Sequence, residues 1–329
     1  MNSKGEMTME HRLEIINARL PLADERLWYT LRAVNGTWTH VEAQESYLPA
    51  GAGTPHLTLD GYGADRSSMQ DAPVTGGSCM LDAEGKLVLP GFVDAHMHLD
   101  KAFSLRQVGN RSGTLAEAIG NYSEMAPHFT KAEIYARMAK TALLAIGYGT
   151  TAIRTHIDFH AAAGRQVALQ SIEAALELKQ KLASQLELQI FPMVPYRSAG
   201  ADVLELIDEA VAMGVTGIGG APHLADDPDR NIDLLFKLAD RYGCPIDLHT
   251  DESDDPRKKT ALTVAQKTID YGFRGRATVG HLCSLASMEP KEADAVIARI
   301  AEAGLNAVTL PAANLYLQGR GMTKPPAEG

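Results

Sequence analysis

The sequence predicts an α/β fold: a (β/α)8-type TIM barrel with seven strands present, preceded by a partial N-terminal β-sandwich domain. Three observations carry this prediction. From about residue 130 one unit repeats, an amphipathic segment, a glycine and a short apolar run ending in polar residues, and repeated helix-to-strand units imply a parallel sheet. Several of those runs end in histidine, which matches barrels whose functional groups gather at the C-terminal ends of strands. The chain has 329 residues, 45% hydrophobic and 22% charged, enough to bury one large core with a small appendage. The expected boundaries are residues 1–88 for the β domain, 89–315 for the incomplete barrel and 316–329 for a mobile tail.

Taken in order, the first part carries short strand-like runs, Leu13-Glu14-Ile15-Ile16 and Trp28-Tyr29-Thr30-Leu31, followed by a Gly-, Pro- and Ser-containing stretch from Pro49 to Ser78 that reads as loop-rich. The first barrel strand is the apolar run from Leu87 that ends in His96-Met97-His98. Thr130 and Glu133 make a capping box, and Ile134, Met138, Ala142, Leu143 and Ile146 share one helical stripe. Strand Thr151 to His156 follows. Helix Val167 to Leu182 leads into Leu188 to Pro192, and helix Val203 to Met213 into Val215 to Ile218. Helix Ile232 to Tyr242 leads into Pro245 to His249, helix Leu262 to Tyr271 into Ala277 to His281, and helix Ala293 to Ala303 into Ala307 to Leu310. With the His-x-His run this makes seven strands, one short of a complete barrel.

Composition excludes several functions. The formal charge of −10 and the lack of a Lys/Arg block argue against nucleic acid or an anionic membrane as partner. No apolar stretch approaches the ~20 residues needed to cross a bilayer, and the polar start lacks a signal peptide's apolar centre. Cys79, Cys244 and Cys283 show no pairing pattern, as expected in the cytoplasm. The expected partner is a small molecule, and a homo-oligomer is allowed.

Chemistry is to be sought at the strand ends, at His96, His98, His156, His249 and His281. Side chains alternate along a strand, so His96 and His98 point the same way and can share one metal ion. Imidazole suits zinc or iron(II), and an open coordination position would hold a water whose pKa falls toward ~7. Glu252 lies three residues past His249, placed to shuttle a proton onto a leaving nitrogen, or else to stand as a solvated member of the acidic run Asp251 to Asp255.

The segments Pro90 to Lys101, Arg154-Thr155-His156, His249-Thr250-Asp251-Glu252, Gly280-His281 and Asn314 to Arg320 resemble the amidohydrolase superfamily, specifically its cytosine deaminase-like group, which includes triazine-ring amidohydrolases. The resemblance implies a metal-dependent hydrolase of carbon–nitrogen bonds other than peptide bonds, acting on a nitrogen heterocycle or cyclic amide through metal-bound hydroxide. It implies one divalent ion, zinc or iron(II), held by His96, His98 and His249. It makes Glu252 the proton shuttle, gives His281 the role of orienting water or substrate, and places Asn314 and Gln318 on the substrate side. The family closes its site with an aspartate at the end of strand eight, and this chain stops before that strand, so it resembles a truncated member. That departure motivates a rival reading, an inactive homologue acting only as a binding or assembly subunit. Cytosine deaminases of the group carry glutamine where this chain has Met193, and a thioether cannot read a pyrimidine edge by paired hydrogen bonds. Tyr196 and Arg197, just beyond, are expected to contact a larger or anionic heterocycle, and Lys101 to line the pocket mouth or pair with a carboxylate.

Overall fold

The seven apolar runs pair side by side as one parallel sheet. The computed structural model describes residues 10–48 except 22, 23 and 25, and residues 78–318 except 198 and 199. The chain divides into two units, Met1–Pro90 and Gly91–Gly329.

In the first unit, β1 (Arg12–Ala18), β2 (Trp28–Val34), β3 (Thr37–Gln44) and β4 (Ser78–Asp82) form a four-stranded sheet in the order β3-β2-β1-β4. Asn35 and Gly36 join β2 to β3 with φ of 49° and 78°, the left-handed pair that a two-residue hairpin requires. Ile15, Ala18, Leu31 and Ala83 make its small core. Among the described residues this unit is one sheet layer. The stretch read as loop-rich lies, up to residue 77, outside the described residues.

In the second unit, β5 (Phe92–Met97), β6 (Thr150–Asp158), β7 (Glu187–Val194), β8 (Ile218–Gly220), β9 (Ile246–Thr250), β10 (Ala277–His281) and β11 (Asn306–Val308) lie in chain order, each parallel to the next. They form a nearly closed barrel. Each gap between successive strands from β6 to β11 is spanned by one of the expected helices: α4 (Arg165–Lys181), α5 (Ala201–Ala212), α6 (Pro228–Tyr242), α7 (Thr260–Asp270) and α8 (Pro290–Ala303). Between β5 and β6 stand α1 (Leu105–Val108), α2 (Leu115–Met125) and α3 (Lys131–Gly147). The capping box at Thr130 is formed, its side chain accepting from the Glu133 N–H while the Glu133 carboxylate accepts from the Thr130 N–H. Ile153, Ile157, Leu188, Ile190, Leu248 and Val279 belong to one continuous core.

Three details differ from the sequence expectation. The fourth barrel strand starts at Ile218, not Val215, because Thr216 bonds Ile190 through both its N–H and its hydroxyl and Gly217 is wedged against neighbouring atoms. A Cβ on Gly217 would lie 2.4 Å from both the Phe191 ring and the Pro245 carbonyl. A short helix α9 (Pro311–Leu317) follows β11 and takes in the first two residues of the expected tail. From residue 319 onward the tail lies outside the described residues. Helices α1 and α2 precede the repeating unit that begins near residue 130, and neither was expected.

β5 and β11 are the open ends of the sheet. A cavity of about 570 Å³ lies between them, lined by residues 92–96, Thr150 and residues 308–313.

Two substitutions test this packing. Gly217→Ala should cost about 1–3 kcal/mol through overpacking, and Thr130→Ala about 1 kcal/mol through loss of the cap. Urea denaturation measures both, and a neutral Gly217→Ala would refute the close approach.

Candidate metal centre

Barrel geometry brings the strand-end histidines to one place. His249 Nε2 lies 3.1 Å from His96 Nε2 and 3.0 Å from His98 Nε2. His156 stacks at 4.2 Å from the His96 ring and 4.7 Å from the His249 ring. The His281 ring stands 5.0 Å from that of His249. Donor atoms of His96, His156 and His249 all fall within 4.8 Å of one another. His156 thus belongs to the cluster as closely as the three residues expected to hold a metal. Its place at the end of the second barrel strand was the signal for it.

These nitrogens fit a cation. His98 Nδ1 is 3.1 Å from the His156 carbonyl; a carbonyl only accepts, so Nδ1 carries the hydrogen and Nε2 is left with its lone pair. That bare Nε2 faces His249 Nε2, which also faces His96 Nε2. One hydrogen on His249 can bridge one of these contacts and not both. Two nitrogens about 2.1 Å from one ion, at angles of 90–110°, stand about 3.0–3.4 Å apart, which matches the spacing here. His96 Nδ1, His249 Nδ1 and both nitrogens of His156 are buried with no hydrogen-bond partner in the described structure.

Burial keeps the rings neutral, as metal binding needs. It lowers the pKa of His96 to about 3, helped by His281. Burial likewise pushes His98, His156 and His249 well below the ordinary histidine range.

Beneath the rings lies a charged layer. Arg154 on β6 donates to Asp247 Oδ2 on β9 at 2.6 Å, to Thr278 Oγ1 on β10 at 3.2 Å and to Gln189 Oε1 on β7 at 2.8 Å. Burial raises the Asp247 pKa to about 6 against the opposing pull of Arg154. Its other oxygen is 3.6 Å from His156 Nε2.

Sharp turns set the catalytic candidates. Asp251, His281 and Leu282 have φ of 52°, 71° and 54°, a region costly for residues other than glycine and concentrated at functional sites. Asp251 is not free for chemistry: its carboxylate accepts from the N–H and hydroxyl of Thr260 and from the Ala261 N–H, capping α7. Its neighbour Glu252 is buried and lies 3.5 Å from His281 Nδ1. Burial raises Glu252 to a pKa of about 7, with Lys101 pulling the other way. Glu252 is therefore not a solvated member of an acidic run. His281 donates through Nδ1 to Asn314 Oδ1 at 3.2 Å, and burial lowers its pKa to about 4.

The remaining candidates divide. Lys101 is fixed by Asp158 at 2.8 Å; burial opposes its charge, and Asp158 and Asp100 outweigh it. Met193 lies on β7 opposite Gly219 of β8. Tyr196 and exposed Arg197 stack on each other at 5.6 Å. Gln318 bonds back to Asn314 only through its backbone N–H in this region. The structure thus joins Asn314 and Lys101 to the electrostatics of the site and leaves Tyr196, Arg197 and Gln318 without a bond to the histidines.

An amidohydrolase family model matches residues 80–155 and 122–329. The chain belongs to the amidohydrolase family. It is 32% identical over 245 residues to a pterin deaminase of Rhizobium rhizogenes, covering 73% of this chain and 54% of that protein. It is also 32% identical over 240 residues to the N-isopropylammelide isopropyl amidohydrolase of Pseudomonas sp. strain ADP, covering 70% and 58%. In structure it resembles a 5-methylcytosine deaminase from Klebsiella pneumoniae liganded with 5-fluorocytosine, with a TM-score of 0.79 and 28% identity, over 95% of this chain and 69% of that one. The chain thus spans little more than half the length of these two sequence relatives.

The raised Glu252 pKa makes a stability prediction. The ordinary value is 4.5 and the folded value about 7, so the stabilisation from protonated Glu252 is full below about pH 4.5 and is lost as pH rises through 7. Glu252→Gln cannot ionise and escapes this loss. In chelator-treated protein the variant should gain on the parent by on the order of 2–3 kcal/mol between pH 4.5 and 8.5, read by urea denaturation. A constant difference across that range would contradict the buried placement.

Proposed function

We propose that the chain acts as a metal-dependent hydrolase that breaks a carbon–nitrogen bond of a nitrogen heterocycle, removing an amino or alkylamino group or opening a cyclic amide. One observation carries this reading: the Nε2 atoms of His96 and His98 converge on that of His249, while the buried carboxyl group of Glu252 lies 3.5 Å from His281, whose ring neighbours that of His249. A divalent ion held by those three nitrogens, zinc or iron(II), would supply Lewis acidity that lowers the pKa of water.

The other steps belong to the chain's own residues. A carboxyl group with a pKa near the working pH both takes and returns a proton efficiently, so Glu252 accepts one from the attacking water and hands it to the leaving nitrogen. His281, steered by Asn314, orients water or substrate. Lys101, held in place by Asp158, presents a fixed cation to an oxo group or anionic edge of the ring. Met193, Tyr196, Arg197 and Gln318 complete the substrate side. Met193 offers no paired hydrogen bonds and disfavours cytosine itself. The similar proteins are named for pterin, N-isopropylammelide and 5-methylcytosine chemistry, which supports an oxo-bearing, amino-substituted ring as the substrate class. A further parallel strand, laid in the cavity between β5 and β11 beside His96, would bring the carboxylate that the family resemblance expects as an added ligand and base. Three free cysteines support a cytoplasmic setting.

Elemental analysis paired with an ammonia-release screen over pyrimidines, pterins and triazines tests the reading. Near-stoichiometric zinc or iron is expected, and His249→Ala should lose it. Glu252→Gln should keep the metal and lower turnover by about 10²–10⁴-fold. A metal-free protein whose stability ignores His249→Ala would sink the assignment.

A further inference from the structure

His223 was not among the residues the sequence singled out, yet it touches the backbone of the central histidine. It sits on the turn Pro222–Leu224 after β8 and is 3% exposed. Its Nδ1 lies 3.0 Å from the carbonyl oxygen of His249. A carbonyl oxygen can only accept, so Nδ1 carries the ring hydrogen and Nε2 is bare. Nε2 is buried without a hydrogen-bond partner in the described structure.

The sheet explains why this bond is needed. β8 has three residues, and its pairing with β9 ends at Gly220 opposite Leu248. The next carbonyl along β9 is that of His249, and a buried carbonyl left unpaired costs about 1–3 kcal/mol. The His223 imidazole takes it. The turn is itself tethered: Lys258 Nζ donates to the His223 carbonyl at 3.3 Å, Ser284 Oγ donates to the Lys258 carbonyl at 2.7 Å, and the Ser284 N–H donates to the Asp251 carbonyl at 3.1 Å. Loops following three successive strands are thus tied together around His249, whose Nε2 meets those of His96 and His98.

We propose that His223 is a positioning residue of the metal centre: its Nδ1–H holds the His249 backbone, and through it the aim of the His249 ring, without touching metal or substrate. The proposal rests on the reading of His249 as a ligand.

Asparagine and glutamine separate the two ring nitrogens, because the asparagine amide nitrogen reaches roughly the Nδ1 position and the glutamine one roughly that of Nε2. The chelator-treated parent, His223→Asn and His223→Gln are titrated with zinc ion against a competing chromophoric chelator. Asn should stay within about threefold of the parent, and Gln should bind about tenfold or more weakly, as when an outer partner of a ligand is lost. Equal affinities in the two variants, or Gln binding better than Asn, overturn the proposal. Nitrogen-15 NMR of the metal-free parent gives a second reading that survives a variant's failure to fold: a Nδ1–H tautomer at His223 is expected, and a Nε2–H tautomer overturns the bond. A parent that takes up no zinc, with His249→Ala indistinguishable from it, rejects the ligand reading and the positioning role with it. That result differs from a parent that binds tightly while the Gln variant binds as well.

Discussion

Buried neutral imidazoles packed nitrogen to nitrogen cannot turn every contact into a hydrogen bond, and this shortfall governs the barrel end. His98 spends its hydrogen on the His156 carbonyl, so at least one of the two contacts at His249 Nε2, to His96 or to His98, stays without a hydrogen bond. Protonation cannot relieve it, because burial and the neighbouring cations Lys101 and Arg154 disfavour a charged ring. A divalent cation relieves it without adding hydrogens. The cost of holding the rings together is met by the strand cores below, where Ile153, Leu188, Leu248 and Val279 are almost fully buried and fix the strands that carry them.

The same constraint orders the charges in layers. Arg154 and Asp247 neutralise one another beneath the rings, with Gln189 and Thr278 accepting three further hydrogen bonds from the guanidinium. Lys101 and Asp158 form a second fixed pair beside the cluster. Glu252 stands apart from both pairs, so it lacks a direct cationic partner and keeps its proton to higher pH. Two carboxylates in one barrel, Asp251 and Glu252, therefore do opposite work. Asp251 is consumed by three hydrogen bonds at the start of α7, and its left-handed backbone turns Glu252 toward His281.

Much of this was legible from side-chain order. The helix-glycine-strand repeat located five of the seven barrel strands closely and the His-x-His run marked the end of a sixth, which starts at Phe92 and not at Leu87, since helix and strand periods differ and glycine ends helices in the left-handed region. The fourth strand was misplaced because Val215 and Thr216 have strand-like character, and only the wedge of Gly217 between Phe191 and Pro245 decides where pairing begins. Helices α1 and α9 have four and seven residues and, like α2, lie outside the helix-glycine-strand repeat, and α9 carries Asn314 to His281. Tyr196, Arg197 and Gln318 were placed near the substrate by position in the chain, and the structure gives them no bond to the ring cluster.

The sequence by itself determined which residue types stand at the strand ends and that a parallel sheet would bring those ends to one side. Alternation and periodicity are local properties, readable a few residues at a time. Tertiary structure alone decided how closely His156 packs against His96 and His249, that Asp251 is a cap while Glu252 is not, and that His223 reaches the His249 carbonyl. Those outcomes depend on contacts between residues 9 to 93 positions apart along the chain, and no local pattern encodes which carbonyl is left unpaired when a neighbouring strand stops.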